Sequence, residues 1–364
     1  MLTTAQSSGT TGFGLIDLAV VAGYFLLLAV TGALFSRQSA KNSRDYFLGS
    51  RSMPSWAVAI SIVATSLSAV TFIGAPEQAY KGDLTYLATN IGMVLAAFVI
   101  AMVFIPAFYR SGSASIYELL EERFGPAARK SASITFLIGR VLASGARVYA
   151  GAIPAAIVLF GFERGNQPQY LMGAIAVLAI VGIVYTLAGG IKSVIWSDVI
   201  QFAILIGAAI CAIVVIASTI NSPLDTVLHE LKTGANNGQS KLTLIDLSFD
   251  WQAPFTLPAC MIGFTLLGIG SYGTDQDLGQ RMLTCKDAKQ GARSVIVGIL
   301  LGIPSVTIFL TLGLLLWVLY QRPEHTSVEN TVPPEESMTI FLHYILTQIP
   351  PGVRGLMMAG LFAA

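Results

Sequence analysis

Two arginines lie inside an otherwise apolar run of the sequence, and their chemistry is the most distinctive in the chain. Arg140 and Arg147 are seven positions apart with Ser144 between them, so a helix would present all three side chains on one face. A guanidinium group in an apolar medium needs a cavity, a counter-charge or the interface. Because its planar fork matches a carboxylate, Arg140 or Arg147 is a candidate to bind an anionic solute. Structurally, one arginine could instead pair with Asp198 or a backbone carbonyl while the other extends to the interface.

Asp198 is the second residue with clear chemistry, because it is a carboxylate within an apolar run. Glu77 is the other acidic residue that the sequence places well inside such a run. An ionisable side chain at this depth is a functional hypothesis by default. The structural alternative is that Asp198 pairs with Lys192 or with a helix end.

Hydroxyl residues interrupt the second apolar run ahead of Gly74 and Pro76. They are Ser61, Thr65, Ser66, Ser68 and Thr71. Irregular backbone at membrane depth persists only where it is buried in protein or lines a cavity. The pattern therefore predicts a broken helix that forms an ion and solute site, with a packing face of small residues as the alternative.

Glycines interrupt the seventh apolar run in a similar way. They are Gly263, Gly268, Gly270 and Gly273. Two interrupted segments, each opening a unit of five spans, are typical of an inverted-repeat transporter with its site at the bilayer midplane. The stretch GIGSYG also matches the dinucleotide pattern G-x-G-x-x-G, but that fingerprint requires a preceding strand, so we reject nucleotide binding.

The composition supports a membrane protein. Hydrophobic residues make up 54% of the chain and charged residues 11%, with a mean hydropathy of +0.70, whereas soluble domains carry roughly 25% charged residues. The net charge of +1 gives no reason to expect nucleic acid as a partner. The cysteines and histidines lack disulfide or zinc spacing, and no grouping of nucleophile and base indicates an enzyme.

Eight apolar runs are long enough to cross a bilayer, and a ninth begins near Gly352. They cover 14–35, 54–80, 84–109, 131–160, 169–187, 193–220, 254–272 and 294–320. We interpret 14–35 as a leading helix, 54–220 as a first five-helix repeat and 254–364 as an incomplete second repeat.

The loops set the expected orientation. Lys and Arg concentrate in alternate loops, which predicts a multi-pass protein of the cell membrane with its N-terminus outside. The segment 115–124 reads as a short interfacial helix inside, and 221–251 as a polar external excursion.

Four blocks of the sequence resemble the sodium/solute symporter family, and they occur in the family's order. They are RDYFLGSRSMPSWAVAISIVATSLSAVTFIG (44–74), IYELLEERFG (116–125), YTLAGGIKSVIWSDVIQF (185–202) and GTDQDLGQRMLTCKDAKQG (273–291). The resemblance implies an all-α membrane protein with a LeuT-like inverted repeat of five plus five helices and an extra N-terminal helix. The chain ends at AGLFAA (359–364), where the family continues with two serine ligands, so we expect a C-terminally truncated bundle.

The resemblance also implies roles for individual residues. Sodium, the expected coupling ion, would bind the backbone carbonyls of Ala64 and Leu67, and Asp198 would lie on its path. Solute contacts would come from Ser66, Ser68, Thr71 and Asn90, in addition to Arg140 and Arg147. The gate would be formed by Ser271, Tyr272 and Gln276.

The solute class follows from comparison within the family. Sugar-carrying members have glutamates at positions that align near Val70 and Asn90 and a tyrosine at one that aligns near Ser271, and this chain has none of the three at the aligned positions. Members that carry sialic acid use an arginine near Ala143, between the two arginines of this chain.

We therefore expect a sodium-coupled symporter that imports a small organic solute by alternating access, one that carries a carboxylate, such as sialic acid or another organic acid. The alternatives are a transporter-like sensor module and a neutral sugar transporter. The expected partners are the solute, sodium and the lipid bilayer, without nucleic acid, and the expected state is a monomer.

Overall fold

The computed structural model describes residues 13–39, 43–112, 115–160, 162–165, 167–233, 240–250, 252–327 and 339–363. Within these ranges the chain is helical and contains no β-strand. The helices are α1 (Leu15–Ser39), α2 (Ser43–Leu48), α3 (Ser55–Ser66), α4 (Ala69–Lys81), α5 (Thr89–Val99), α6 (Ile105–Ser111), α7 (Glu118–Phe124), α8 (Pro126–Phe160), α9 (Phe162–Gly165), α10 (Pro168–Thr219), α11 (Leu224–Thr233), α12 (Leu257–Gly268), α13 (Gln276–Leu283), α14 (Ala288–Gln321), α15 (Ile340–Thr347) and α16 (Val353–Ala363).

Short segments join several of these helices. Turns of 3-10 helix cover Gly49–Arg51, Thr85–Ala88 and Pro323–His325, and π-helix covers Ile100–Phe104 and Ile269–Thr274. The second π segment contains the glycines that interrupt the seventh predicted run, and α13 begins after it at a new N-cap, Asp275.

The predicted spans agree with the helices of the described part of the chain. Six helices there are long and apolar enough to cross a membrane, and the pair α3 and α4 adds a seventh as one bent span. The runs predicted at 169–187 and from Gly352 appear as the shorter apolar helices Pro168–Ile180 and Val353–Ala363. Ala364, the last residue of the AGLFAA motif, lies outside the described residues.

Gly190 divides α10 into the two runs that the sequence predicts. Its φ is +61°, a left-handed conformation that favours glycine. A Cβ atom at this position would lie only 3.0 Å from the ring of Tyr46 and 3.1 Å from its carbonyl oxygen. The bend and the close approach of α2 therefore both require glycine here.

The core of the molecule brings α14 against both α3 and α4. A Cβ atom added at Gly298 would lie 2.9 Å from the Ala59 carbonyl of α3, and one added at Gly313 would overlap the Pro76 carbonyl of α4. Small residues permit this approach, as in other membrane helices. Phe72 fills the adjoining space, 5.6 Å from the ring of Phe309.

Two connecting segments differ from their predicted form. The interfacial helix begins at Glu118 instead of residue 115, because 115–117 form a turn. The excursion 221–251 contains the helix α11, which the sequence reading did not assign, and 234–239 and 251 in this stretch lie outside the described residues.

Candidate functional site

The second apolar run is a helix broken in the middle, as predicted. The axes of α3 and α4 differ by 67°, and Leu67 and Ser68 between them have extended backbone. The Ser68 amide donates to Thr71 Oγ1 at 3.4 Å and so does not close a helical turn onto the Ala64 carbonyl. The last carbonyls of α3 lie at the negative end of its dipole, which suits a cation.

A cavity of about 400 Å³ opens beside this break. Eight of the predicted site residues line it: Ser66, Leu67, Thr71, Asn90, Arg140, Arg147, Ser271 and Tyr272. Ala64, Ser68, Asp198 and Gln276 are not among the lining residues. These eight residues come from four separate regions of the chain, and they line one cavity.

Ser66 and Tyr272 connect the two interrupted segments. Their hydroxyl oxygens are 2.6 Å apart. Because Ser66 Oγ already donates to the Ile62 carbonyl at 2.8 Å, the Tyr272 hydroxyl is the donor in this pair. The buried Tyr272 thus covers one side of the cavity against α3, a position consistent with its predicted role in a gate.

Arg147 contacts the break directly. Its Nη1 atom donates to the Thr65 carbonyl at 3.2 Å. A cation at the C-terminal end of α3 interacts favourably with the helix dipole. This is the backbone-carbonyl arrangement that we named as a structural alternative, and it also leaves the guanidinium group on the cavity wall.

Arg140 has partners that the sequence reading did not name. Its guanidinium group forms an ion pair with Asp277 and lies 3.8 Å from Asp275 Oδ1. It therefore neither pairs with Asp198 nor extends to the interface as an isolated charge. Both aspartates lie directly after the second interrupted segment.

Asp198 also has a different partner from the one proposed. It accepts a hydrogen bond from Ser61 Oγ, and Arg281 Nη2 lies 3.3 Å from its Oδ2 atom. Arg281 Nε donates to the same Ser61 hydroxyl at 2.9 Å. Asp198 and Arg281 are both buried, and Arg281 takes the place that we gave to Lys192 or a helix end in the structural alternative.

Arg281 extends this pair into a network. Its Nη1 atom donates to the Asp277 carbonyl at 3.0 Å and to the Asp277 carboxylate. Since Asp277 also holds Arg140, a continuous chain of charges leads from Asp198, beside α3, to the cavity wall. We call Asp198, Arg281, Asp277, Arg140 and Asp275 the charge network.

Gln276, which we predicted to belong to the gate, does not line the cavity. Its Oε1 atom accepts hydrogen bonds from Ser115 Oγ at 3.1 Å and from the Ile116 amide at 3.0 Å. The side chain thus fixes the segment that precedes α7.

Two other carboxylates accept backbone amides at the start of a helix. Glu77 accepts the Ile340 amide of α15 at 2.8 Å and pairs with Lys81 at 2.8 Å. Asp17, which the sequence reading missed as a membrane-embedded acid, is fully buried in the first turn of α1. It accepts the amides of Gly352 and Gly355 at 2.7 and 2.8 Å, and so fixes the N-terminus of α16.

Comparisons with known proteins show which family the chain matches. The model of the sodium:solute symporter family matches residues 46–364. The chain is 32% identical to the sodium/sialic acid symporter SiaT of Proteus mirabilis, over 97% of this chain and 67% of that protein. It is 31% identical to the sodium/sialic acid symporter NanT of Aliivibrio fischeri, over 97% of this chain and 66% of that protein.

More distant relatives transport other acids. The chain is 28% identical to the sodium-coupled monocarboxylate transporter 2 of Bos taurus, over 96% of this chain and 55% of that protein.

A solved structure described as the substrate-bound outward-open state of a Na+-coupled sialic acid symporter superposes with a TM-score of 0.81 at 29% identity. The superposition covers 96% of this chain and 69% of that one.

Proposed function

Because this chain belongs to the sodium:solute symporter family, we propose that it couples the entry of sodium to the import of a small organic acid. The family consists of transporters, so this activity is transport and not catalysis. The observation that carries the proposal is the position of Arg147, on the wall of a cavity and in contact with the carbonyl end of a broken helix.

Sodium binds near the break in this proposal. The carbonyls of Ala64 and Leu67 supply oxygen atoms at the negative end of α3, and hard cations prefer oxygen ligands. Asp198 of α10 lies on the path of the ion, and it contacts Ser61 of α3. Sodium is thus the co-transported ion.

The solute carries a carboxylate that Arg147 binds. A guanidinium group offers two parallel donors to a carboxylate, and the surrounding Ser66, Asn90 and Ser271 offer hydroxyl and amide groups to the rest of the solute. This mixture suits a polyhydroxylated acid such as sialic acid, the solute named for two of the relatives. A neutral sugar would offer no carboxylate to Arg147, whose contact at the break is a backbone carbonyl.

Transport proceeds by alternating access. Sodium favours the outward-open state because it binds that state better than the inward-open one, and solute binding then closes the cavity. Loss of sodium on the cytoplasmic side releases the solute. The sodium gradient supplies the work.

The proposed orientation places the N-terminus outside and α7 in the cytoplasm. A cysteine introduced at the exposed Glu122 of α7 tests this. A membrane-impermeant maleimide should label Glu122→Cys only in inside-out vesicles. Labelling in right-side-out vesicles would reverse the orientation.

Uptake into proteoliposomes tests the function. N-acetylneuraminate, lactate, proline and glucose are offered with and without an inward sodium gradient. We expect sodium-driven uptake of N-acetylneuraminate, and Arg147→Gln should weaken it by about 10- to 100-fold, since a hydrogen bond to a charged group contributes roughly 1.5–3 kcal/mol.

Arg123→Gln is the matched control, because Arg123 is exposed on α7 and does not line the cavity. It should transport like the native protein, and Arg147→Lys should keep part of the activity. Sodium-driven uptake of glucose alone would contradict the proposal. Normal acid uptake by Arg147→Gln would show that Arg147 does not bind the solute carboxylate.

A further inference from the structure

The carboxylate of Asp277 is held by two arginines at once. Arg281 binds its Oδ1 atom and Arg140 binds its Oδ2 atom. Neither arginine is bound by Asp277 alone, because Arg281 also contacts Asp198 and Arg140 also lies near Asp275. The charge network therefore consists of shared ion pairs.

The network has one negative charge in excess, because three carboxylates face two guanidinium groups. Arg281 must divide its five donors among Asp198, Asp277 and the Ser61 hydroxyl. An additional cation near Asp198 would balance the charge and compete with Arg281 for that carboxylate. The position of Arg281 thus responds to whatever else binds Asp198.

We propose that Asp277 is the positioning residue that couples the binding of sodium to the binding of the solute. When sodium binds at Asp198, Arg281 turns its donors to Asp277, and Arg140 is released from Asp277 into the cavity, where it binds the solute carboxylate together with Arg147. This inference rests on the proposed function, and on Asp198 as a residue of the sodium path.

The exposure of Arg140 and Arg281 decides which of them leaves Asp277 when sodium binds. The side chain of Arg281 is 6% exposed and that of Arg140 is 26% exposed. Removing a buried charge from its partners costs far more than removing one that water can reach. Arg140 also already lines the cavity, so it needs only a side-chain rotation to reach a solute.

Reciprocity gives the opposite half of the coupling. If sodium increases the affinity for the solute by some factor, the solute must increase the affinity for sodium by the same factor. A solute that captures Arg140 leaves Asp277 to Arg281, which then holds Asp198 less firmly. The carboxylate of Asp198 is then more available to sodium.

Equilibrium binding to the purified protein tests the role of Asp277. N-acetylneuraminate is titrated at saturating sodium and with potassium in its place. In the native protein we expect sodium to raise the affinity by about tenfold or more, within the usual range of coupling. In Asp277→Asn the ratio should fall to below about threefold, mainly because the affinity without sodium increases.

The conservative variant and a control separate positioning from loss of structure. Asp277→Glu keeps the charge and should retain sodium dependence. Glu122→Gln removes an exposed acidic charge outside the network and should bind like the native protein. Native sodium dependence in Asp277→Asn would overturn the inference.

A second readout does not depend on the solute. Phenylglyoxal modifies accessible arginines, and mass spectrometry of the peptide that contains Arg140 measures the extent. Sodium should increase modification of Arg140 several-fold in the native protein, and Asp277→Asn should show the high level without sodium. The peptide with the exposed Arg123 serves as the reference.

The two readouts distinguish two kinds of failure. If the native protein binds none of the tested acids but sodium still exposes Arg140, the proposed solute is wrong and the coupling through Asp277 holds. If Arg140 is equally reactive with sodium and with potassium, Asp277 does not link the two sites, whatever the solute is.

Discussion

Charged side chains hold both halves of the broken helix, but they do so in two different ways. On α4, Lys241 Nζ donates to the carbonyls of Tyr80 and Gly82 at 2.9 and 2.8 Å, and Glu77 accepts the Ile340 amide. Both charges contact the backbone, and Glu77 also pairs with Lys81 within the same helix. On α3, Ser61 lies within the network of Asp198 and Arg281, where charges contact other charges.

The difference separates a fixed half from a responsive half. Backbone carbonyls carry no net charge, so a mobile cation gains less by displacing Lys241 from them than by pairing with a carboxylate. Ion pairs can exchange partners, because an added cation can take the place of a guanidinium group. We therefore expect α4 to be insensitive to sodium and the surroundings of α3 to respond to it.

The largest effect should come from Arg281→Met. The substitution leaves Asp198 buried without its counter-charge, which costs roughly 3–5 kcal/mol in comparable pairs. Thermal unfolding in detergent should show the loss. Asp198→Asn added to Arg281→Met should restore part of the stability, and additive losses in the double variant would mean that the pair is not coupled.

Lys241→Met tests the fixed half and should have a moderate effect. The side chain is buried and supplies donors to carbonyls at the end of α4, so its removal should cost roughly 1–3 kcal/mol. The loss should be the same in sodium and in potassium. A loss of stability that differs between sodium and potassium would contradict the distinction between α4 and α3.

Glu230→Gln should have the smallest effect, because the Glu230 and Arg322 pair at 2.9 Å lies on the surface. The hydrogen bond from Arg322 lowers the pKa of Glu230 from its ordinary value of 4.5. The pair therefore stabilises the folded state fully above pH 4.5 and loses its effect as the pH falls through the lowered pKa.

Unfolding of the native protein and Glu230→Gln across pH checks this prediction. The two proteins should differ slightly near neutral pH and converge in acid. A difference that grows in acid would show that Glu230 acts through something other than its charge.

The sequence alone was sufficient for the spans and the two interruptions. Apolar length predicts a membrane helix, and hydroxyl or glycine residues in such a run predict a break, so both features depend only on neighbours in sequence. The helical spacing of Arg140 and Arg147 likewise placed both on one cavity wall.

The partners of the charged residues could not be predicted in this way. Asp198 and Arg281 are 83 positions apart, and Arg140 and Asp277 are 137 apart, so no local pattern relates them. One signal was present: Asp277 and Arg281 are four positions apart directly after an interrupted span, which is the spacing of a helical ion pair.

The close approach of α14 has a mechanical consequence. Gly298 and Gly313 bring one continuous helix against both α3 and α4, so α14 packs against both halves of the break. The 67° angle is then a fixed shape, and α3 and α4 cannot straighten without forcing backbone atoms into α14. A movement that opens or closes the cavity has to carry all three helices together as one rigid body.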